Sequence, residues 1–310
     1  MTTLRVATRG SLLARTQTGQ VVDALRAAHP GLTVEIVELT TSGDRIQDRP
    51  LPEVGGKGLF TLELEEALRQ GRADVAVHSL KDLPTALADD LVLAAVPKRE
   101  DPRDALVLPQ GSAAQASDDP LRLLAPGVLV GTSSTRRVAM LRHRRPGLAV
   151  EPVRGNLDTR LRKLDEGRYA ALLLAAAGLR RLGWGERISA LLPPAVCMPA
   201  PAQGALGLEA RAGDEAVLSR LAAVNDPLSH AAVTAERALL TALGGGCLVP
   251  VGALATVEGE ALVLQAAIAS PDGTQLLERT AVGPLAAPED LGRQLAQALL
   301  AAGAERLLGG

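Results

Sequence analysis

The order strand, helix, strand, helix, strand is read twice along this chain, and that repetition constrains its fold more than any other feature. In the first copy LRVAT (4–8) reads as a strand, and the helix after Arg9-Gly10-Ser11 runs to about Ala28. TVEIVEL (33–39) is the next strand. A polar stretch from Thr40 to Gly58 then precedes a helix over 59–70 and a strand of fully buried type, ADVAVHS (73–79). In the second copy VLVGT (128–132) leads through Ser133-Ser134-Thr135 into a helix carrying Arg136 and Arg137. LAVEPV (148–153) matches the second strand, Arg154-Gly155-Asn156 opens a helix ending at Gly167, and YAALLLAA (169–176) is the third strand. The copies share a helix-Gly-Arg-strand junction, at Gly71-Arg72 and Gly167-Arg168. This alternation predicts two similar α/β domains. Ligands in such sheets bind beyond the carboxyl ends of the strands, so a cleft between the two domains is the expected site.

A length of 310 residues exceeds what one core usually holds. The first boundary falls near Arg99-Glu100-Asp101-Pro102, and a second crossing lies in LPPAVCMPAPAQG (192–204), so the chain is expected to return to its first domain. Beyond it, a helix (about 228–242) reaches Gly244-Gly245-Gly246-Cys247. Strand runs at 249–257, 261–269 and 274–282 follow, joined by hairpin-compatible turns, and a helix covers about 288–302. This predicts a small α+β domain with an antiparallel three-stranded sheet. The expected division is 1–99 with 200–217, then 103–197, then 219–310.

Net charge is -2, but residues 122–168 alone hold ten Arg and Lys163 against four acids, a local +7. Of the 33 basic residues, 29 are Arg, whose planar fork suits carboxylate or phosphate. Helix starts add unpaired N–H groups: Ser11 lies beside Arg9, Ser133 and Ser134 beside Arg136 and Arg137, and Arg154 and Arg160 flank a third. Ser79, Lys81 and Asp82 of VHSLKDLP project from a strand's carboxyl end, and a carboxylate there can bind a substrate N–H and stabilise a developing cation. Cys247 stands on a glycine-rich loop that leaves room for close approach. Three aromatics cannot build the stacking platform of a single-strand binder, so nucleic acid is not expected. The four His and two Cys never take metal-ligand spacing, and no metal is expected. With no membrane-length apolar run and no secretory signal, the chain reads as cytoplasmic.

Taken together, ATRGSLLA, VGGKGLF, ADVAVHSLKDLP, REDPRDA, GTSSTRR, RGNLDTRL, AAAGLRRLGW, QGALGLE, TAERALL and GGGCLVPVGA closely resemble the porphobilinogen deaminase (hydroxymethylbilane synthase) family, in the family's order and nearly end to end. The resemblance implies two type II periplasmic-binding-protein-like α/β domains and a third domain whose cysteine, here Cys247, holds a dipyrromethane cofactor by a thioether. It implies a transferase that deaminates porphobilinogen and joins four units head to tail, releasing hydroxymethylbilane after hydrolysis. Asp82 matches the catalytic aspartate, with Lys81 and Arg9 beside it. Ser133, Arg136, Arg137, Arg154 and Gly155 join Cys247, Lys81 and Asp82 around the cofactor. Arg9, Ser11, Ser79, Arg154, Arg160, Arg181 and Gln203 match positions for substrate, and Lys57 and Phe60 fall in a mobile loop over the cleft. A monomer is expected. Gly244, Leu248, Leu62 and Ala202 depart from the family's usual residues.

The main rival is a two-lobed solute-binding protein for a small polyanion. It accounts for the repeated halves and the arginines, but not for the third domain, Cys247 on its glycine loop, or the lack of an export signal.

Overall fold

A computed structural model describes residues 3–42, 61–112, 119–244 and 249–308. Lys57, Phe60 and Cys247, with most of the polar stretch before the second helix, lie outside the described residues. Two compact units make up the chain: Met1–Glu100 with Ala205–Ala231, and Asp101–Gly204 with Ala232–Gly310. The expected second domain (103–197) and most of the expected third (232–310 of 219–310) therefore share one unit, while 219–231 belong to the first.

In the first unit, β1 (Leu4–Arg9) pairs in parallel with β2 (Val34–Leu39) and with β3 (Val75–Ser79). The remaining strands are β4 (Leu91–Ala95) and a late arrival, β10 (Leu206–Arg211), which runs antiparallel between β3 and β4. The sheet order is β2-β1-β3-β10-β4. Helix α1 (Leu12–Ala28) is capped by Ser11, whose hydroxyl accepts the Ala14 N–H, and it buries Val21, Val22 and Leu25 against the sheet. Each such side chain contributes about 1.5–3 kcal/mol of apolar burial. Helix α2 (Leu62–Arg69) places Leu64, Ala67 and Leu68 on the sheet at helical spacing.

The second unit repeats this plan with β5 (Asp104–Val107), β6 (Leu129–Gly131), β7 (Ala149–Glu151), β8 (Ala171–Ala175) and β9 (Ala190–Leu192). The order is β7-β6-β8-β5-β9, with β6 parallel to β7 and β8, and β5 antiparallel to β8 and β9. Helices α3 (Thr135–Arg144), α4 (Leu157–Asp165) and α5 (Ala176–Arg181) follow β6, β7 and β8. In both sheets the antiparallel strand is the one that enters after a crossing: β5 just past Asp101, and β10 just past Gly204. Both are mixed five-stranded α/β sheets. In each, parallel strands deliver their carboxyl ends to one edge.

Helices α6 (Glu215–Ala222) and α7 (Pro227–Ala242) lead to the antiparallel sheet β11 (Val251–Glu258), β12 (Ala261–Ala269) and β13 (Leu276–Pro284), followed by α8 (Pro288–Ala301) and α9 (Ala304–Leu308). The β12–β13 turn docks on the end of α3. Gly273, at φ +77°, approaches so closely that a Cβ there would stand 2.5 Å from Arg142 Cβ, and its carbonyl lies 2.9 Å from His143 Nδ1.

Among the described residues Ala202 is the one non-glycine with positive φ, at 61°. Its N–H donates to Glu236 Oε2 at 2.6 Å, while Glu236 Oε1 accepts from Ala255 N–H at 2.8 Å, all of it buried. That carboxylate holds the backbone where an L-residue pays roughly 1–2 kcal/mol. Ala202→Gly is therefore expected to stabilise the fold by about 0.5–1 kcal/mol after glycine's greater unfolded-state entropy is counted. Chemical denaturation measures this, and a destabilised variant would contradict it.

Candidate active site

Each unit gathers one set of groups at the carboxyl edge of its parallel strands. In the first unit, Arg9 ends β1 and Ser11 caps α1, while β3 ends at Ser79 and passes into a 3-10 turn, Leu80–Asp82. Leu80 anchors that turn. Its side chain is fully buried, its N–H donates to Ala205 O at 3.0 Å, and its carbonyl accepts from Leu83 N–H at 3.2 Å. The residues that follow it are thereby presented outward, with Lys81 half-buried and Asp82 exposed. Ser79 sits differently from the expectation for a substrate ligand: its hydroxyl donates to the buried Gln17 Oε1 at 3.0 Å and braces α1 against β3.

In the second unit, the loops after β6 and β7 are tied together by Ser133, whose hydroxyl donates to Val153 O at 2.7 Å. Ser134 caps α3, accepting from Arg137 N–H. The next turn requires its glycine. Gly155 has φ +107°, and a Cβ would stand 2.8 Å from Thr159 Cγ2. Arg160 Nε donates to Gly155 O at 2.7 Å and Lys163 Nζ to Arg154 O at 3.0 Å, so two cations fix this loop's carbonyls. Arg181, at the end of α5, donates to Gly204 O at 2.7 Å.

Arg136 and Arg137 do not present open forks. They are 3% and 6% exposed and converge on Asp104, which is fully buried on β5. Arg136 Nη1 donates to Asp104 Oδ2 at 2.7 Å and to Met198 O at 2.6 Å. Arg137 donates to Asp104 Oδ1 through Nη2 at 2.6 Å and Nε at 3.0 Å, and to Leu173 O at 2.9 Å. Arg136 and Arg137 open α3 and Asp104 opens β5, and a buried carboxylate demands compensating charge. Burial acts to raise the Asp104 carboxyl, but the charges and hydrogen bonds of Arg136 and Arg137 overcome it and hold it well below the usual carboxylate range. Burial, reinforced by the Asp104 charge, pushes the Cys197 thiol up to about 12. It is a neutral donor to Asp104 Oδ2 at 3.2 Å. Gln203 joins the same cluster: 1% exposed, it donates to Asp104 Oδ1 at 2.8 Å and to Pro102 O at 2.7 Å. Its placement among substrate contacts is thus corrected to an internal one.

Sequence reasoning missed Asp104, Glu236 and Gln17. Asp104 was legible only as an acid opening a short apolar run, DALV, a place where a charge needs a partner.

A family profile described as "Porphobilinogen deaminase, dipyromethane cofactor binding domain" matches residues 4–219, and one described as the family's C-terminal domain matches 230–301. The chain belongs to the porphobilinogen deaminase family. A protein of Roseiflexus castenholzii named porphobilinogen deaminase is 53% identical over 99% of each chain. One of Thiobacillus denitrificans with the same name is 50% identical over 99% of this chain and 98% of its own. Among solved structures, the second substrate-binding domain of a putative amino acid ABC transporter from Streptococcus pneumoniae is 13% identical, covering 72% of this chain and 92% of its own, with a TM-score of 0.43. Membership in the porphobilinogen deaminase family brings the enzyme class: a transferase of tetrapyrrole biosynthesis, with the dipyrromethane cofactor that the first profile names.

The donor set fits an oligopyrrole, which carries carboxylates and pyrrole N–H groups. The first unit offers Arg9, Ser11 and Lys81 for the former and the exposed Asp82 carboxylate for the latter. The second unit, taken by itself, carries Arg154, Arg160 and Arg181. Among the described residues no His, Cys, Asp and Glu gather as a metal site would require, and no helix is long and apolar enough to cross a membrane.

Proposed function

We propose that this chain deaminates porphobilinogen and joins four molecules head to tail, releasing hydroxymethylbilane after hydrolysis. The observation that carries the reading is the anchored turn that presents Lys81 and Asp82 at the strand edge shared with Arg9 and Ser11. Asp82 accepts the substrate's pyrrole N–H. As the aminomethyl C–N bond breaks and ammonia leaves, positive charge spreads onto that ring, and the carboxylate stabilises it where it develops. Lys81, Arg9 and the Ser11 hydroxyl hold the acetate and propionate groups; bonds of this charge-assisted kind contribute about 1.5–3 kcal/mol each. Arg154, Arg160 and Arg181 serve further carboxylates, Gly155 keeps the turn before α4, and Ser133 ties that loop to the one after β6. Arg136 and Arg137 act from below, orienting the start of α3 through Asp104. When bound, the dipyrromethane, held on Cys247 by a thioether, supplies the pyrrole α-carbon from which the chain grows. Lys57 and Phe60 are assigned to the loop over the site. The reading includes the division into three domains at 1–99 with 200–217, 103–197 and 219–310, and a cytoplasmic monomer acting on a small molecule without nucleic acid.

The intact mass of the purified chain tests this. A covalent increment of two pyrrole units and a colour with Ehrlich's reagent are expected, and both are expected to be absent from Cys247→Ser. An unmodified, colourless wild-type protein that leaves porphobilinogen unconsumed would sink it.

A further inference from the structure

The crossing segment Gln203-Gly204-Ala205 is held along its whole length. In the second unit Gln203 N–H donates to Ala200 O at 2.9 Å, its side-chain amide donates to Pro102 O and Asp104 Oδ1, and Gly204 O accepts from Arg181. Pro102 and Asp104 belong to the other crossing, so one side chain ties the two crossing segments together. In the first unit the next carbonyl, Ala205 O, receives the Leu80 N–H at 3.0 Å, and Leu80 opens the turn that carries Lys81 and Asp82. Between them stands Gly204 at φ +90°, a conformation that favours glycine and fixes the course of the chain. Gln203 is too deeply buried to meet a ligand, yet it stands two residues before the carbonyl that holds this turn.

We propose that Gln203 is a positioning residue for the reaction: its amide clasps the two crossing segments and so fixes the Ala205 carbonyl from which the Lys81–Asp82 turn hangs. The proposal rests on the reading of Asp82 as the catalytic carboxylate. A carboxylate must meet a developing charge within a fraction of an ångström, and a displacement of about 1 Å can cost as much as about 100-fold in rate. Both donors of the amide are needed, since one reaches each partner of the other crossing.

Gln203→Met keeps the volume and removes both donors. In holoenzyme whose intact mass shows the full pyrrole increment, kcat is expected to fall about tenfold while KM stays within about twofold, because the carboxylate-binding groups are untouched. A residue that only stabilises the fold would lower the melting temperature and leave kcat per loaded enzyme unchanged, and that result overturns the proposal. Hydrogen exchange on the wild-type holoenzyme gives a second reading that needs no variant. The Leu80 and Gln203 amides are expected to open with one common free energy, and independent exchange overturns the clasp. Wild-type holoenzyme that fails to consume porphobilinogen would instead sink the assigned reaction, a failure distinct from either of these.

Discussion

Asp82→Asn is expected to lower kcat by about 10²- to 10⁴-fold while leaving KM for porphobilinogen and the melting temperature close to those of the wild type. The three readouts separate because the side chain stands apart from the core. Asp82 is exposed, and the turn beneath it is secured by Leu80 through buried packing and by hydrogen bonds to Ala205 and from Leu83. Removing the charge therefore costs the fold little. In the proposed reading substrate is held chiefly through its carboxylates by Lys81, Arg9 and Ser11, so ground-state binding is expected to persist. Asparagine still offers an oxygen to the pyrrole N–H, but it carries no charge to set against the cation that forms as ammonia leaves. That interaction is strongest in the transition state, and its loss appears in kcat. Asp82→Glu restores the charge at a displaced position and is expected to fall between the two. Single-turnover kinetics on protein with verified cofactor content measures the effect; a decrease in kcat smaller than about tenfold would remove Asp82 from the chemistry.

The parts of this fold that could be read in the sequence are those with strong local periodicity. Parallel strands such as VAVHS and ALLLA are apolar runs with clear glycine boundaries, and α1 shows its capping serine and its buried stripe. The strands that define the sheet order were the ones without such signals. β5 is four residues long, too short for a period to register, and β10 is buried on both faces and carries Glu209 in its middle, so it resembles neither an alternating strand nor an apolar one. Both are antiparallel and pair with residues far away in sequence, information that no local window holds. The site divides the same way. The places of Asp82, Lys81, Arg9 and Ser11 are legible because strand ends and helix starts are local signals. Arg136 and Arg137 have the same local signature as exposed anion binders. Their burial is decided by Asp104, more than 30 residues away, and by the Met198 and Leu173 carbonyls that the fold brings within hydrogen-bond reach. Charge counting found the arginines but could not show that the local +7 is partly balanced from within.

That internal balance sets the largest stability effect expected for a single substitution. Asp104→Asn keeps the shape of the side chain but leaves two buried guanidinium groups without their common counter-charge. Breaking a buried pair by removing one partner costs about 3–5 kcal/mol, far more than the net worth of the pair. Here one carboxylate serves Arg136, Arg137, Gln203 and the Cys197 thiol together, so the loss propagates into the crossing segment as well. Equilibrium denaturation at pH 7 is expected to show a loss of about 3–5 kcal/mol, and a variant within about 1 kcal/mol of the wild type would refute the cluster's role. The pH dependence gives an independent check with a fixed sign. The Asp104 carboxyl is held below its ordinary value of 3.8 in the folded protein, so its contribution is complete above that value and is lost as pH falls toward the folded one. Asp74 is depressed as well, burial raising its carboxyl and the hydrogen bonds of Arg5 and Arg211 more than reversing that, but it remains in both proteins. The gap in stability between wild type and Asp104→Asn therefore isolates Asp104. It is expected to hold constant between pH 7 and about 5 and to narrow below about pH 4, because protonation imposes on the wild type the loss that the substitution has already made. A gap that widened in acid would mean that the carboxylate is held against its charge rather than by it.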